Sequence, residues 1–288
     1  MKRKKRFPVA GAFLAPSVIG VLLFFVLPFF VVIYYSFVDN PISLQFVGLE
    51  NYTNVIANTA FRTAVKNTLV FSVIAVPLAV ILGLLLALLL DVKIPFRSFL
   101  RSSFLTPLMV PIASIVLIFQ VLFDYNGVIN NILANWTDTR TDWLKSSSGI
   151  FVIILLFLWK NLGYNMILFL SALGNVPSDI VEVAELDGAG AFRVFWHVKL
   201  RYLSPMIVFT TILSMINSFK VFREIYLLTG EYPFGAMYML QHYMNNTFSS
   251  ADYQKLSTAA IYMSLVMIVI IAVMLVVENH YGKDMEEE

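Results

Sequence analysis

The sequence predicts an all-α membrane protein of six transmembrane helices, with a structured cytoplasmic loop between the fourth and the fifth. Three observations lead there. Of 288 residues, 59% are hydrophobic and only 13% are charged, against roughly 25% charged in an ordinary soluble domain. Long stretches carry no charge at all. The basic residues between those stretches are distributed unevenly. A soluble core of this length cannot hide so much apolar surface, which excludes a soluble enzyme and a disordered chain. The net charge of +2 offers nothing to a polyanion, so no nucleic acid is expected as a partner. Cysteine is absent, which removes disulfides, thiolate metal sites and cysteine nucleophiles.

The uncharged runs define the spans. Phe7 to Val38, Asn67 to Leu90, Ser102 to Phe123 and Leu256 to Val277 contain no charged residue. Ser146 to Ser178 contains only Lys160, and Tyr202 to Gly230 contains Lys220, Arg223 and Glu224 after 18 uncharged residues. A spanning helix needs about 20 apolar residues. The six spans are placed at approximately 9–38, 67–90, 102–123, 149–174, 203–228 and 256–278, within a single transmembrane domain over 1–288. Runs such as LGLLLALLL do not alternate, so a barrel is excluded. The first run is 32 residues long, beyond the ~7–15 of a signal-peptide core, and is expected to stay as an uncleaved helix.

Pro16 and Pro28 interrupt the first span. FVGLENYTNVI after it reads as a turn at Gly48 and a short interfacial helix carrying Leu49, Tyr52 and Ile56. Pro107 and Pro111 are expected to bend the third span or break its first turns. The second outer loop begins with an Asn126-Gly127 turn and holds Trp136 and Trp143, which fit an interfacial belt.

Orientation follows from charge. The N-terminus, the second and fourth loops and the C-terminus share Lys2, Arg3, Lys4, Lys5, Arg6, Lys93, Arg97, Arg101, Arg193, Lys199, Arg201 and Lys283, which is 12 basic residues. The opposite side has 5: Arg62, Lys66, Arg140, Lys145 and Lys255. The positive-inside rule puts the first set, and both termini, in the cytoplasm.

Several chemistries find no support. There is no phosphate-binding Gly-rich loop ending in Lys-Ser or Lys-Thr, no HExxH and no GxSxG. His197, His242 and His280 are far apart. No catalytic group and no metal site is expected.

Polar residues at membrane depth are costly and mark either a cavity or a helix contact. In the fourth span Lys160 falls near the midplane and is followed by Asn161, Gly163, Tyr164 and Asn165. One reading is interhelical hydrogen bonding with close packing at Gly163. The other is a path for a polar solute, in which Lys160, Asn161 and Asn165 bond its polar groups while Trp159 and Tyr164 stack on its flat apolar faces. The fifth span adds Asn217, Ser218, Lys220, Arg223 and Glu224. Lys220 and Glu224 are spaced i,i+4 and are expected to be able to pair, and Arg223 with Glu224 is an equally open ion pair.

The segment Asn175 to Pro205 is too structured for a plain loop. Ser178 is expected to cap a helix with Asp179 in its first turn, running to about Leu186. Asp187-Gly188 turns, and a second helix starts near Ala189. Spacing of three and four puts Phe192, Phe195 and Trp196 on one face. The segment is either a surface hairpin packed on the bundle or a docking plug, whose Glu182, Glu185 and Asp187 offer carboxylates to a partner and whose aromatics fill a groove.

Glu182-Val183-Ala184, Asp187-Gly188-Ala189, Phe195 and Leu200 together resemble the coupling motif of the permeases of ATP-binding-cassette importers, as the carbohydrate-uptake branch writes it. Val183 stands where that family has Ala, and Arg201 where it has Pro. FVGLENY, the two prolines of the third span, WKNLGYN and LLTGEYP resemble, in the same order, maltose-type sugar permeases, and LLTGEYP resembles the first of their two permease subunits. The resemblance covers almost the whole chain. It implies a coupling-helix loop at 175–202 in which Glu182, Ala184, Asp187, Gly188, Ala189, Phe195 and Leu200 meet an ATPase. It also implies a path for sugars or oligosaccharides, to which Lys160, Asn161, Tyr164, Asn165, Asn217 and Lys220 are assigned. The implied partners are a second homologous permease, two ATP-binding cytoplasmic subunits and an extracellular solute-binding protein. ATP and Mg belong to the ATPase, and this chain carries no cofactor and no catalysis. The implied place is a bacterial inner membrane. An ion-coupled secondary carrier and an intramembrane enzyme are the alternatives; the first needs a buried carboxylate, the second paired catalytic groups.

Overall fold

A computed structural model describes residues 7–92, 94–136 and 139–282. Lys2, Arg3, Lys4, Lys5, Arg6, Lys93 and Lys283, which enter the orientation argument, lie outside the described residues. Among the described residues six helical stretches are long and apolar enough to cross a membrane: Phe13–Ser36, Thr59–Asp91, Ile112–Leu133, Gly149–Leu173, Ala191–Thr229 and Tyr253–Asn279. The pairing of Val38 with Phe46 is an isolated antiparallel bridge in a loop.

In chain order, α1 (Phe7–Val21) passes through a π turn at Leu22–Val26 into α2 (Leu27–Ser36). Pro28 lies in the first turn of α2. It has no N–H to give and its ring crowds the carbonyl four residues back; the wider turn just before it, closed by Leu27 N–H to the Leu22 carbonyl, accommodates the ring. Then come α3 (Glu50–Ala57), α4 (Thr59–Asp91), α5 (Arg97–Met109), α6 (Ile112–Phe123) and α7 (Val128–Leu133). The third predicted span is divided at Val110–Pro111, where Val110 is extended at ψ 130° as the residue before a proline tends to be, while Pro107 is tolerated inside α5. Next are α8 (Gly149–Leu173), α9 (Ser178–Leu186) and α10 (Ala191–Val194), which runs through a π turn at Phe195–Lys199 into α11 (Leu200–Phe219). The chain ends with α12 (Phe222–Thr229), α13 (Leu240–Ser249) and α14 (Tyr253–Gly282).

The chain divides into two compact units, Met1–Phe61 with Met244–Met267, and Arg62–Tyr243 with Ile268–Glu288. In the first, Gly48 (φ +59°) turns the chain into α3. Asn51 Nδ2 donates to the carbonyls of Ser36 and Val38, at 3.0 and 2.8 Å, and Tyr52 Oη lies 2.8 Å from Ser36 Oγ. The Asp39 carboxylate accepts the Ser43 hydroxyl and the N–H groups of Asn40 and Gln45. The Ser43 bond above all holds its pKa below the ordinary value. Tyr262 packs edge-on to Tyr52 with ring centres 5.5 Å apart.

The second unit contains the main packing. α4 and α8 run through two apolar clusters, one around Phe71, Ile115, Ile153, Leu156 and Ile225, the other around Leu90, Met166, Phe169 and Leu203. Gly163 is where α5 meets α8: a Cβ there would fall 1.8 Å from the Phe104 carbonyl oxygen. The Asn126-Gly127 turn is present, with Asn126 N–H on the Asp124 carboxylate. The two loop tryptophans differ. Trp136 is exposed, whereas Trp143 packs on Phe123 and donates to Asn130 Oδ1 at 3.0 Å.

Candidate functional site: a polar cavity and a helical hairpin

Where α11 ends, the helix breaks for two residues. Lys220 caps it, with its N–H on the Asn217 carbonyl, and α12 starts at Phe222. The break turns consecutive side chains into a cavity of about 410 Å³ that is also lined by α8 and by the first turn of α13. Its polar wall is Lys160, Asn161, Asn217, Lys220, Arg223, Glu224 and Gln241; Leu156, Phe157, Val221 and Phe222 supply the apolar wall.

The wall is internally bonded. Lys160 Nζ lies 2.5 Å from Glu224 Oε1. Asn217 Nδ2 donates to Asn161 Oδ1 at 3.0 Å, and Asn161 Nδ2 donates to the Phe157 carbonyl at 2.8 Å. Glu224 is only 4% exposed and its Oε2 has no hydrogen-bond partner. This pairing replaces the expected Lys220–Glu224 and Arg223–Glu224 pairs. An i,i+4 contact needs continuous helix, and the break at Lys220–Val221 lies between those positions.

Of the six path candidates, the cavity gathers Lys160, Asn161, Asn217 and Lys220. Asn165 and Tyr164 are not among its lining residues. Asn165 is buried between helices, with Nδ2 donating to the Ala79 carbonyl at 3.2 Å and to Ser214 Oγ at 3.0 Å. Trp159 is likewise outside the lining and packs beside Phe119. Phe157 and Phe222 are the aromatic rings at the cavity. Sequence reasoning missed Gln241. It lies between the fifth and sixth spans, 17 residues beyond Glu224, and no local pattern signals that α13 folds back to this wall.

His242 follows Gln241 and is fully buried. Its Nδ1 accepts the Met239 N–H at 3.2 Å, and its ring meets the edge of Phe222 at 4.7 Å. Burial pushes its pKa down to about 4. Among the described residues no group of three or more His, Asp or Glu is placed to hold a metal.

The segment between the fourth and fifth spans forms a helical hairpin. α9 ends in a left-handed glycine: Gly188 has φ +81°. Its N–H bonds the Glu185 carbonyl, and the Ala189 N–H bonds the Ala184 carbonyl, both at 3.0 Å. That pair of bonds is the Schellman ending of a helix, and it needs a residue free to adopt positive φ. Glu182, Asp187 and Gly188 are exposed; Ala184, Ala189, Phe195 and Leu200 are half-buried. Two expectations are corrected. Pro177, not Ser178, occupies the N-cap, and Ser178 Oγ turns to Asp179 instead. The second helix begins at Ala191, because Gly190 is extended. The aromatics are not equally exposed: Phe192 and Trp196 stack in the open, while Phe195, the first residue of the π turn, is half-buried. Lys199 pairs with Asp91 at 3.5 Å, tying the hairpin's second arm to the end of α4.

Comparison with known proteins gives a consistent result. Residues 79–286 match the family described as binding-protein-dependent transport system inner membrane component. The arabinooligosaccharides transport system permease protein AraP of Bacillus subtilis (strain 168) is 31% identical over 223 residues, 75% of this chain and 70% of the relative. The multiple sugar-binding transport system permease protein MsmF of Streptococcus mutans serotype c is 30% identical over 279 residues, 95% of each. The fold is similar to a chain of a bacterial alginate ABC transporter solved in complex with an alginate pentasaccharide-bound periplasmic protein, with a TM-score of 0.82 at 20% identity, covering 96% of this chain and 95% of that one. The chain belongs to the family of binding-protein-dependent transport system inner membrane components.

Proposed function

We propose that this permease subunit conducts sugars or oligosaccharides into the cytoplasm through the cavity at the α11–α12 break, driven by ATP hydrolysis on separate subunits. The observation that carries the reading is the cavity. Its volume of about 410 Å³ is in the range of small-ligand sites. Amide and ammonium donors from Asn161, Asn217 and Lys220 suit sugar hydroxyls, and Phe157 and Phe222 offer apolar surface to the C–H faces of a sugar ring. Asn165 acts as an interhelical tie in this reading. AraP and MsmF, transport permeases for arabinooligosaccharides and multiple sugars by name, support the substrate class.

In the assembly we infer, a second homologous permease completes the path, an extracellular solute-binding protein delivers the sugar, and two cytoplasmic ATP-binding subunits hold ATP and Mg. Both termini lie in the cytoplasm. The 175–202 hairpin receives the ATPase: Glu182 and Asp187 face basic or amide donors, the half-buried Ala184 and Ala189 allow close backbone approach, and Phe195 and Leu200 complete the contact.

The test is ATP-dependent sugar uptake by the reconstituted complex with Asn217→Ala and Lys220→Ala. Both variants are expected to assemble normally and to lose most uptake or change preference among sugars. Wild-type uptake and preference in both would refute the assignment of the path.

A further inference from the structure

We propose that the cavity is selective for saccharides bearing an oxyanion (a carboxylate, phosphate or sulfate), read by Lys220 and Arg223. The proposal rests on the cavity being the sugar path.

The charges on its wall do not balance. Three cations, Lys160, Lys220 and Arg223, face one carboxylate, Glu224. Glu224 is taken by Lys160 at 2.5 Å, which fixes that ammonium against α12 and cancels its charge. Lys220 and Arg223 remain. Both are exposed, and neither takes part in an ion pair among the described residues. The stretch they interrupt is otherwise apolar enough to cross a bilayer, where an uncompensated cation is costly and is retained only beside water or a counter-charge.

A neutral sugar does not require two such cations. Its hydroxyls are served by the amides of Asn161 and Asn217 and by Gln241, each of which both donates and accepts. An oxyanion does require them. The guanidinium fork of Arg223 matches carboxylate, phosphate or sulfate in two parallel hydrogen bonds, and Lys220 adds a point charge. The eight-residue α12 begins at the same wall, with Val221, Phe222 and Arg223 lining it, so the positive end of its dipole adds to the same field.

The chain contains no cysteine, so Gln241→Cys places a single thiol of this subunit in the cavity. In the assembled complex its reaction rates with an anionic and a cationic methanethiosulfonate are compared, each normalised to a free thiol in solution. The anionic reagent is expected to be favoured by about tenfold, the size expected of two unit charges several ångströms away in a wet site. Adding Lys220→Gln and Arg223→Gln brings the ratio back near one. A normalised ratio near one without those changes, as acidic groups of a second subunit would produce, overturns the proposal. Asn217→Cys is the second position if the first variant does not assemble.

A protection arm identifies the ligand. Digalacturonate is expected to slow the labelling and its uncharged methyl ester is not. Equal protection by both overturns the selectivity for an oxyanion; protection by neither overturns the saccharide assignment, as does labelling slowed by phosphatidylglycerol in the vesicle, which would assign the site to a lipid headgroup. Should the alanine variants leave uptake intact while the tenfold preference stands, the path reading fails and the charge reading survives. A lost preference with uptake still dependent on Asn217 and Lys220 sinks the charge reading alone.

Discussion

Lys160 and Glu224, 64 positions apart, form the ion pair that joins α8 to α12 across the cavity, with Nζ 2.5 Å from Oε1. The carboxylate is the buried member, and its other oxygen has no partner. Lys160→Met therefore leaves a buried charge with no counter-ion. The expected cost is about 2 kcal/mol, less than the ~3–5 of a fully buried pair because the lysine is partly exposed. Thermal denaturation of the purified complex checks it. Pairing the change with Glu224→Gln should recover part of the loss, and additive losses in the double-mutant cycle would show that the two groups do not interact.

Asn165 and Asn217 are both amides at membrane depth, but the structure separates their roles. Asn165→Ala removes two hydrogen bonds between buried helices and is expected to cost roughly 1–3 kcal/mol. The apparent KM for sugar in reconstituted transport should not change. Asn217→Ala should do the reverse, raising KM with little loss of thermal stability. A raised KM for Asn165→Ala at unchanged stability would return that residue to the path.

His242 makes the stability of the second unit depend on pH. Its folded-state pKa is pushed down to about 4 by burial, from an ordinary 6.5. As pH falls, the unfolded chain takes up the proton first. The stabilisation from the neutral ring is therefore complete above pH 6.5 and is lost as pH drops towards 4, by up to roughly 3 kcal/mol. Protonation would also place a hydrogen on Nδ1, against the Met239 N–H that it now accepts. Denaturation midpoints across that window should fall for the wild type and stay flatter for His242→Gln. Parallel pH profiles would show that this ring does not carry the dependence.

Much of this architecture was legible because the bilayer demands long uncharged runs, and each polar residue inside one is conspicuous. Lys160, Asn161, Asn217 and Lys220 stand out for that reason, and they meet at one cavity. The partner of Glu224 did not stand out. Reading Lys220 and Glu224 as an i,i+4 pair assumes a continuous helix, and nothing local in SFKVFRE announces the break at Lys220–Val221. Asn165 looks like Asn161 in sequence, and only the packing of α4 and α11 against α8 shows that its donors go to Ala79 and Ser214. Gln241 reaches the cavity through a long-range fold-back, which composition does not encode. In the hairpin, Gly188 was legible because Asp-Gly after a helical run marks a positive-φ ending. The π turn at Phe195–Lys199 has no comparable signature.

The proposed coupling of this subunit to a separate ATPase through the 175–202 hairpin is tested most directly by Gly188→Phe. Gly188 has φ +81°, and apart from its chain neighbours no atom of the described residues lies within 4 Å of where its Cβ would be. The glycine is thus required for its backbone conformation, and a large side chain would project into open space, where the ATPase contact is proposed. Gly188→Ala, which has the same backbone cost of about 1–2 kcal/mol and little bulk, is the control. The measurement is sugar uptake and ATP hydrolysis by the reconstituted complex. The Gly188→Phe permease should insert and assemble, transport should stop, and stimulation of ATP hydrolysis by the loaded binding protein should disappear, with Gly188→Ala retaining much of both. A Gly188→Phe complex that stays assembled and transports at the wild-type rate would contradict the claim.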